Sequence, residues 1–151
     1  MKKISSNSTY FYKRIFPAIW FGFLGVFIIT ELTPLSQEGG LELSFMIMPI
    51  IMAGIGYFII KKLVFDLMDE VYDAGDCLIV KNAGKEEQIN FKDIKNISYS
   101  VMINPPRATL ILRRETVFGN EITFSPHGNL IPFKKSRDIE ELIDRVDRLR
   151  S

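Results

Sequence analysis

Two uncharged apolar runs near the start of the chain, Ile15 to Thr30 and Phe45 to Ile60, constrain its fold more than any other feature. Neither contains Lys, Arg, Asp or Glu. A helix rises about 1.5 Å per residue and a bilayer core is about 30 Å thick, so a span needs about 20 residues. Extending the first run to Leu35 and starting the second at Leu41 supplies that length, with Glu31 and Glu42 snorkelling to the interface. The sequence therefore predicts a transmembrane helical hairpin, with helices over about 15–35 and 41–60. The competing reading is a buried helical pair in a soluble protein. It would have to bury nearly every side of both helices with only about 89 further residues to cover them. A secretory signal is disfavoured, because residues 4–12 are mostly polar or aromatic and no A-x-A site follows the run.

The flanks set an orientation. Lys2, Lys3, Lys13 and Arg14 precede the first run, and Lys61 and Lys62 follow the second. The segment between carries Glu31, Glu38 and Glu42 and no basic residue. By the positive-inside rule both ends are expected in the cytoplasm, at the inner membrane. Lys13, Arg14, Lys61 and Lys62 are candidate contacts to anionic lipid, each contributing about 1 kcal/mol near such a surface. Tyr10, Phe11, Tyr12, Trp20 and Tyr57 are candidate interfacial aromatics. Ala18, Gly22, Ala53, Gly54 and Gly56 would let helices approach closely, either within the hairpin or between copies in a homo-oligomer. Pro17 and Pro49 are expected near helix starts, where proline is tolerated.

Whole-chain averages hide this division. A hydrophobic share of 47% and a net charge of +1 would suit an ordinary soluble domain. Residues 63–151 hold 13 of the 19 basic and 15 of the 18 acidic side chains, well mixed. That composition, with no one-sided basic run, argues against nucleic acid as a partner. The sequence thus predicts two domains, 1–62 with the hairpin and 63–151 in the cytoplasm.

Beyond Lys62 the apolar period falls to two. Leu63 to Tyr72 reads as a first strand and Asp73-Ala74-Gly75-Asp76 as a turn. Cys77 to Lys81 reads as a second strand, Asn82-Ala83-Gly84-Lys85 as a hairpin turn and Glu87 to Phe91 as a third strand. Ile94 to Val101, Ala108 to Arg113 and Glu121 to Ser125 follow as strands. Asn104-Pro105-Pro106 is expected in a loop, and Pro126-His127-Gly128-Asn129 in a turn. Ile139, Leu142, Ile143, Val146 and Leu149 then recur at helical spacing, with Asp138 and Glu141 as a capping box. Asp144 and Arg148 form an i,i+4 pair. The fold class is α+β: a two-helix hairpin, then about six or seven antiparallel strands closed by an amphipathic helix.

Asp69-Glu70-Val71-Tyr72 with Gly75 to Val80, then Ile89 to Ile97, then the helix from Asp138 to Leu149, resembles the bacterial membrane-associated form of the pleckstrin-homology-like (PH-like) fold. The resemblance implies a β-sandwich or partly open barrel of two bent sheets, with the helix plugging one corner. It also implies binding rather than catalysis. Eukaryotic relatives often bind phosphoinositides through Lys and Arg in the loop between the first two strands. Here that loop is Asp73-Ala74-Gly75-Asp76, whose acidity is expected to repel phosphates.

Chemistry is sparse. Cys77 is the only cysteine and His127 the only histidine, too few for a structural zinc site. Asp66, Asp69, Glu70, Asp73 and Asp76 form an acidic stretch without the spacing of an EF-hand loop. No phosphate-binding loop, nucleophile elbow or His-Glu-x-x-His is present. Arg113-Arg114 and Lys134-Lys135 are basic pairs of the kind usually found on a solvated surface. No catalytic residue, metal ligand or cofactor site is expected. The reading is a non-catalytic, membrane-anchored module that binds a protein partner, with exposed sheet edges as one route. The alternatives are an accessory subunit of a membrane complex acting through the hairpin, or a membrane-bound enzyme subunit.

Overall fold

The structure is a computed structural model and describes residues 1–33, 43–127 and 136–150. The chain divides into two compact units: Tyr10–Phe65, and Met1–Thr9 together with Asp66–Ser151. This differs from a boundary after residue 62. The first nine residues belong with the β unit.

The helical unit contains two helices long and apolar enough to cross a membrane. Helix α1 (Ser8–Glu31) contains a π-helical stretch at Phe11–Ile15. That wide turn immediately precedes Pro17, which has no N–H to donate to the Lys13 carbonyl. Helix α2 (Leu43–Leu63) carries Pro49 inside it rather than at its start. Few side chains in either apolar window are buried, unlike the core helices of a soluble fold. The expected extensions to Leu35 and from Leu41 lie outside the described residues.

Trp20 and Gly56 form the close approach of the two helices. A Cβ added at Gly56 would lie 2.4 Å from Trp20 Nε1, whereas one at Gly22 or Gly54 would meet nothing within 4 Å. Trp20 also stacks on Phe16, with ring centroids 6.3 Å apart. So Trp20, read as an interfacial aromatic, packs inside the hairpin, and of the three glycines expected at the helix contact only Gly56 lies at it.

The β unit has two antiparallel sheets and no closed barrel among the described residues. The first has the order β1 (Lys2–Lys3), β2 (Glu70–Asp73), β3 (Cys77–Asn82), β4 (Lys85–Asn90). The second has the order β5 (Ile94–Ser100), β6 (Arg107–Thr116), β7 (Gly119–Phe124). A 3₁₀ turn at Phe91–Asp93 joins them. The expected first strand from Leu63 is shorter. Helix α2 persists to Leu63, Leu67 forms a single bridge to Thr123, and pairing with β3 begins at Glu70. The β3–β4 turn puts Ala83 at φ +51° and Gly84 at φ +78°, as a two-residue hairpin loop of the favoured twist requires.

Residues Arg137–Arg150 form helix α3. Its Ile139, Leu142 and Val146 are buried in one core with Leu78, Ile89, Leu110 and Phe124. Its first turn is anchored by the Ser136 carbonyl, which accepts from the Ile139 and Glu140 amides at 3.1 Å. Asp138, read as the cap, instead receives Lys2 Nζ at 2.5 Å. Leu149, read as part of the apolar stripe, is 51% exposed.

The N-terminal strand closes this core. Ile4 is buried with the residues above, and its amide donates to the Val71 carbonyl at 2.9 Å. The Ser5 hydroxyl accepts from the Val71 amide at 2.9 Å. Beyond it, the Ser6 amide donates to the Ser125 carbonyl at 2.7 Å and the His127 amide to the Ile4 carbonyl at 3.1 Å.

Candidate functional site

The β2–β3 turn, the 3₁₀ turn and the last turns of α3 surround a concavity of about 820 Å³. Local rules fix the first wall. Gly75 takes φ +97°, and its amide donates to Asp73 Oδ1 at 2.8 Å. The second wall begins where β4 ends and Phe91 turns inward to the core. Arg145 of α3 joins the two. Its Nη1 donates to Asp73 Oδ1 at 3.0 Å and Oδ2 at 2.9 Å, and its guanidinium lies 5.3 Å from the Phe91 ring centroid. Asp76, Asn90, Lys92, Asp93, Arg148 and the exposed Leu149 complete the lining.

This corrects the electrostatics expected of the Asp73 to Asp76 loop. Arg145 pairs with Asp73 within the fold, and Lys92 and Arg148 line the concavity together with Asp76 and Asp93. The loop is acidic, but the cavity is not. Its volume lies within the range of small-molecule and peptide sites, and it offers an apolar patch beside charges of both signs.

The acidic stretch does not gather into a cluster. Asp66 pairs with Arg107, and Asp69 Oδ2 accepts from the Ala83 amide at 2.9 Å. Glu70 receives Lys3 Nζ at 2.9 Å and the Tyr72 hydroxyl at 3.0 Å, and these hydrogen bonds hold its carboxyl below the usual glutamate range. Asp73 is taken by Arg145. Among the described residues no group of three or more His, Cys, Asp or Glu is placed to hold a metal ion.

The lipid candidates all lie in the helical unit. Lys13 and Arg14 sit in the π-helical stretch and Lys61 and Lys62 in the last turn of α2. Lys61 Nζ is 5.9 Å from the Tyr57 ring centroid, and Lys62 Nζ is 6.0 Å from that of Phe58. Trp20 and Gly56 are nearly equidistant in sequence from the connecting segment, as in an antiparallel pair. Lys13 lies about 10 Å of helix before that contact and Lys61 about 8 Å after it, which brings both basic pairs to one end of the hairpin.

No known protein family, curated protein or solved structure matches the chain. Its site stands on its own geometry. Cys77 is a free, half-buried strand residue opposite Asn90, and His127 is exposed. Arg114 holds Asp93 at 2.9 Å and the Gln88 carbonyl at 3.3 Å, so it links β6 to β4. Lys134 and Lys135 lie outside the described residues. Sequence reading missed Phe91, Lys92 and Arg145 as site residues. Arg145 and Asp73 are 72 positions apart, and no motif connects them.

Proposed function

We propose that the chain is a non-catalytic interaction module, held at the cytoplasmic face of the inner membrane by its helical hairpin, whose PH-like β unit binds a protein partner in the Arg145 cavity. One observation carries the reading: the direction in which the cavity faces along the first sheet. The chain leaves the β unit at Thr9 and re-enters it at Asp66, and both points lie beside Ser5, Ser6 and Leu67, at one end of β1 and β2. The cavity lies at the opposite end, at the β2–β3 turn and the last residue of β4. A site at the far end of the sheet from both crossings, lined by charges of both signs, supports a protein segment over a lipid head group. The mixed charges and the exposed Leu149 suit an amphipathic peptide. The strand order, followed by an amphipathic helix, supports the PH-like part. The absence of basic residues between the apolar runs supports the orientation.

The test is site-specific photo-cross-linking of the full chain in native membranes, with the probe at Leu149, at Val117 and at Phe58. A discrete adduct from position 149, absent from 117 and abolished by Lys92→Glu with Arg148→Glu, is the expected result. Adducts from position 58 alone would move the function into the hairpin. No adduct from 149 would refute the cavity as the binding site.

A further inference from the structure

The β5–β6 loop carries an apolar tip for which the partner site has no use. Met102 is 89% exposed and Ile103 38% exposed. From Tyr99 to Pro106 the chain has no charged residue, so the tip lacks the charges that usually surround exposed apolar side chains. The loop is nevertheless held. Pro105 is buried at its base, and Arg107, the first residue of β6, pairs with Asp66.

Register places this tip. Ser100 pairs with Arg107 and Ala108 with Phe124, so the β5–β6 loop and the end of β7 share one end of the second sheet. The same end receives both chain crossings. The Ser6 amide bonds Ser125, and Thr9 lies one turn further on, its hydroxyl donating to the Ser6 carbonyl at 3.2 Å. The Met68 amide donates to the Thr123 carbonyl at 2.7 Å, and Asp66 is held by Arg107. The β6–β7 turn, with the exposed Val117, is at the other end.

We infer that Met102 and Ile103 insert into the lipid–water interface of the bilayer that the two long helices cross, making the β5–β6 loop a third membrane contact. The inference rests on those helices being membrane spans. Insertion is driven by apolar burial, not by head-group charge, because the tip carries none. Met suits a disordered acyl boundary, being unbranched and polarizable.

The experiment uses the full chain with Cys77→Ser, reconstituted in phosphatidylcholine vesicles. An environment-sensitive fluorophore is attached in turn at Met102→Cys, Val117→Cys and Phe58→Cys. Insertion by about 5–10 Å predicts that position 102 is quenched by a lipid quencher near the head groups more than by one at the chain end. Position 117 should be unquenched and position 58 quenched. Failure at 58 would overturn the span reading itself. Quenching at 58 but not at 102 would overturn the loop proposal alone. A second variant, Met102→Asp with Ile103→Asp and the label at Tyr99→Cys, should lose the blue shift that the label shows in the parent; an unchanged shift would also overturn it.

Discussion

Substituting Ile4 by Ala is the sharpest test of the fold, because Ile4 lies outside the region that sequence assigns to the β unit. Its side chain is 2% exposed and sits in the core with Val71, Leu78 and Phe124. The change removes about three methylene-sized groups, at about 0.8 kcal/mol each, or about 2.4 kcal/mol of transfer free energy. Incomplete collapse of the cavity raises the total to about 3–4 kcal/mol, within the usual range for such truncations. A domain stable by about 5–15 kcal/mol remains folded after that loss, so the effect is readable as an equilibrium shift. Hydrogen exchange of the full chain in detergent micelles is the assay, followed at the amides of β3 and β6. Where exchange requires global opening of the β unit, protection should fall by about 150- to 900-fold, at 1.36 kcal/mol per decade. Ile4→Val, at about 0.5–1.5 kcal/mol, should reduce it by only about 2- to 13-fold. Were Ile4→Ala to change core protection by less than about threefold, Ile4 would not be part of the cooperative core.

Two further outcomes follow from local geometry. Gly56→Ala places a Cβ 2.4 Å from Trp20 Nε1, so the indole must shift. A cost of about 1–3 kcal/mol to hairpin packing is expected, seen as a change in emission from Trp20 and a lower unfolding midpoint in micelles. Gly54→Ala, which meets nothing within 4 Å, should leave both unchanged. Ala83 holds φ +51° next to Gly84. Ala83→Asn relieves part of a left-handed cost of about 1–2 kcal/mol, so the β unit should gain about 0.5–1 kcal/mol, measured by the same hydrogen exchange; a loss would contradict the turn assignment.

The elements legible beforehand are those whose signal is local. The β3–β4 hairpin announces itself through Gly84 and flanking alternation, and it forms with Val80 opposite Glu87. The β2–β3 turn is marked by Asp73 and Gly75 and forms as an Asp-capped turn. The errors lie where two signals overlap. Leu63 to Tyr72 alternates well enough to read as a strand, but continuation of α2 captures Leu63 and a turn follows before Leu67. Asp138 and Glu141 match a capping box, but Ser136 starts the helix, and Lys2, folded back from the N-terminus, takes the Asp138 carboxylate.

The sequence by itself determined the two long apolar helices, the turn chemistry of the hairpins and the period-two pattern of the sheets. Each of these is set by neighbours within a few residues, through helical or strand periodicity and backbone preference. Tertiary structure decided that Lys2 and Lys3 complete the first sheet, that Trp20 packs on Gly56, and that Arg145 pairs with Asp73 to leave a cavity without net acidity. A two-residue strand is too short to show a period, and an ion pair between residues 72 positions apart leaves no trace in spacing. Such contacts depend on which distant elements the fold sets side by side, not on neighbours along the chain. The chain supplies the residues, and only the folded surface selects which of them meet.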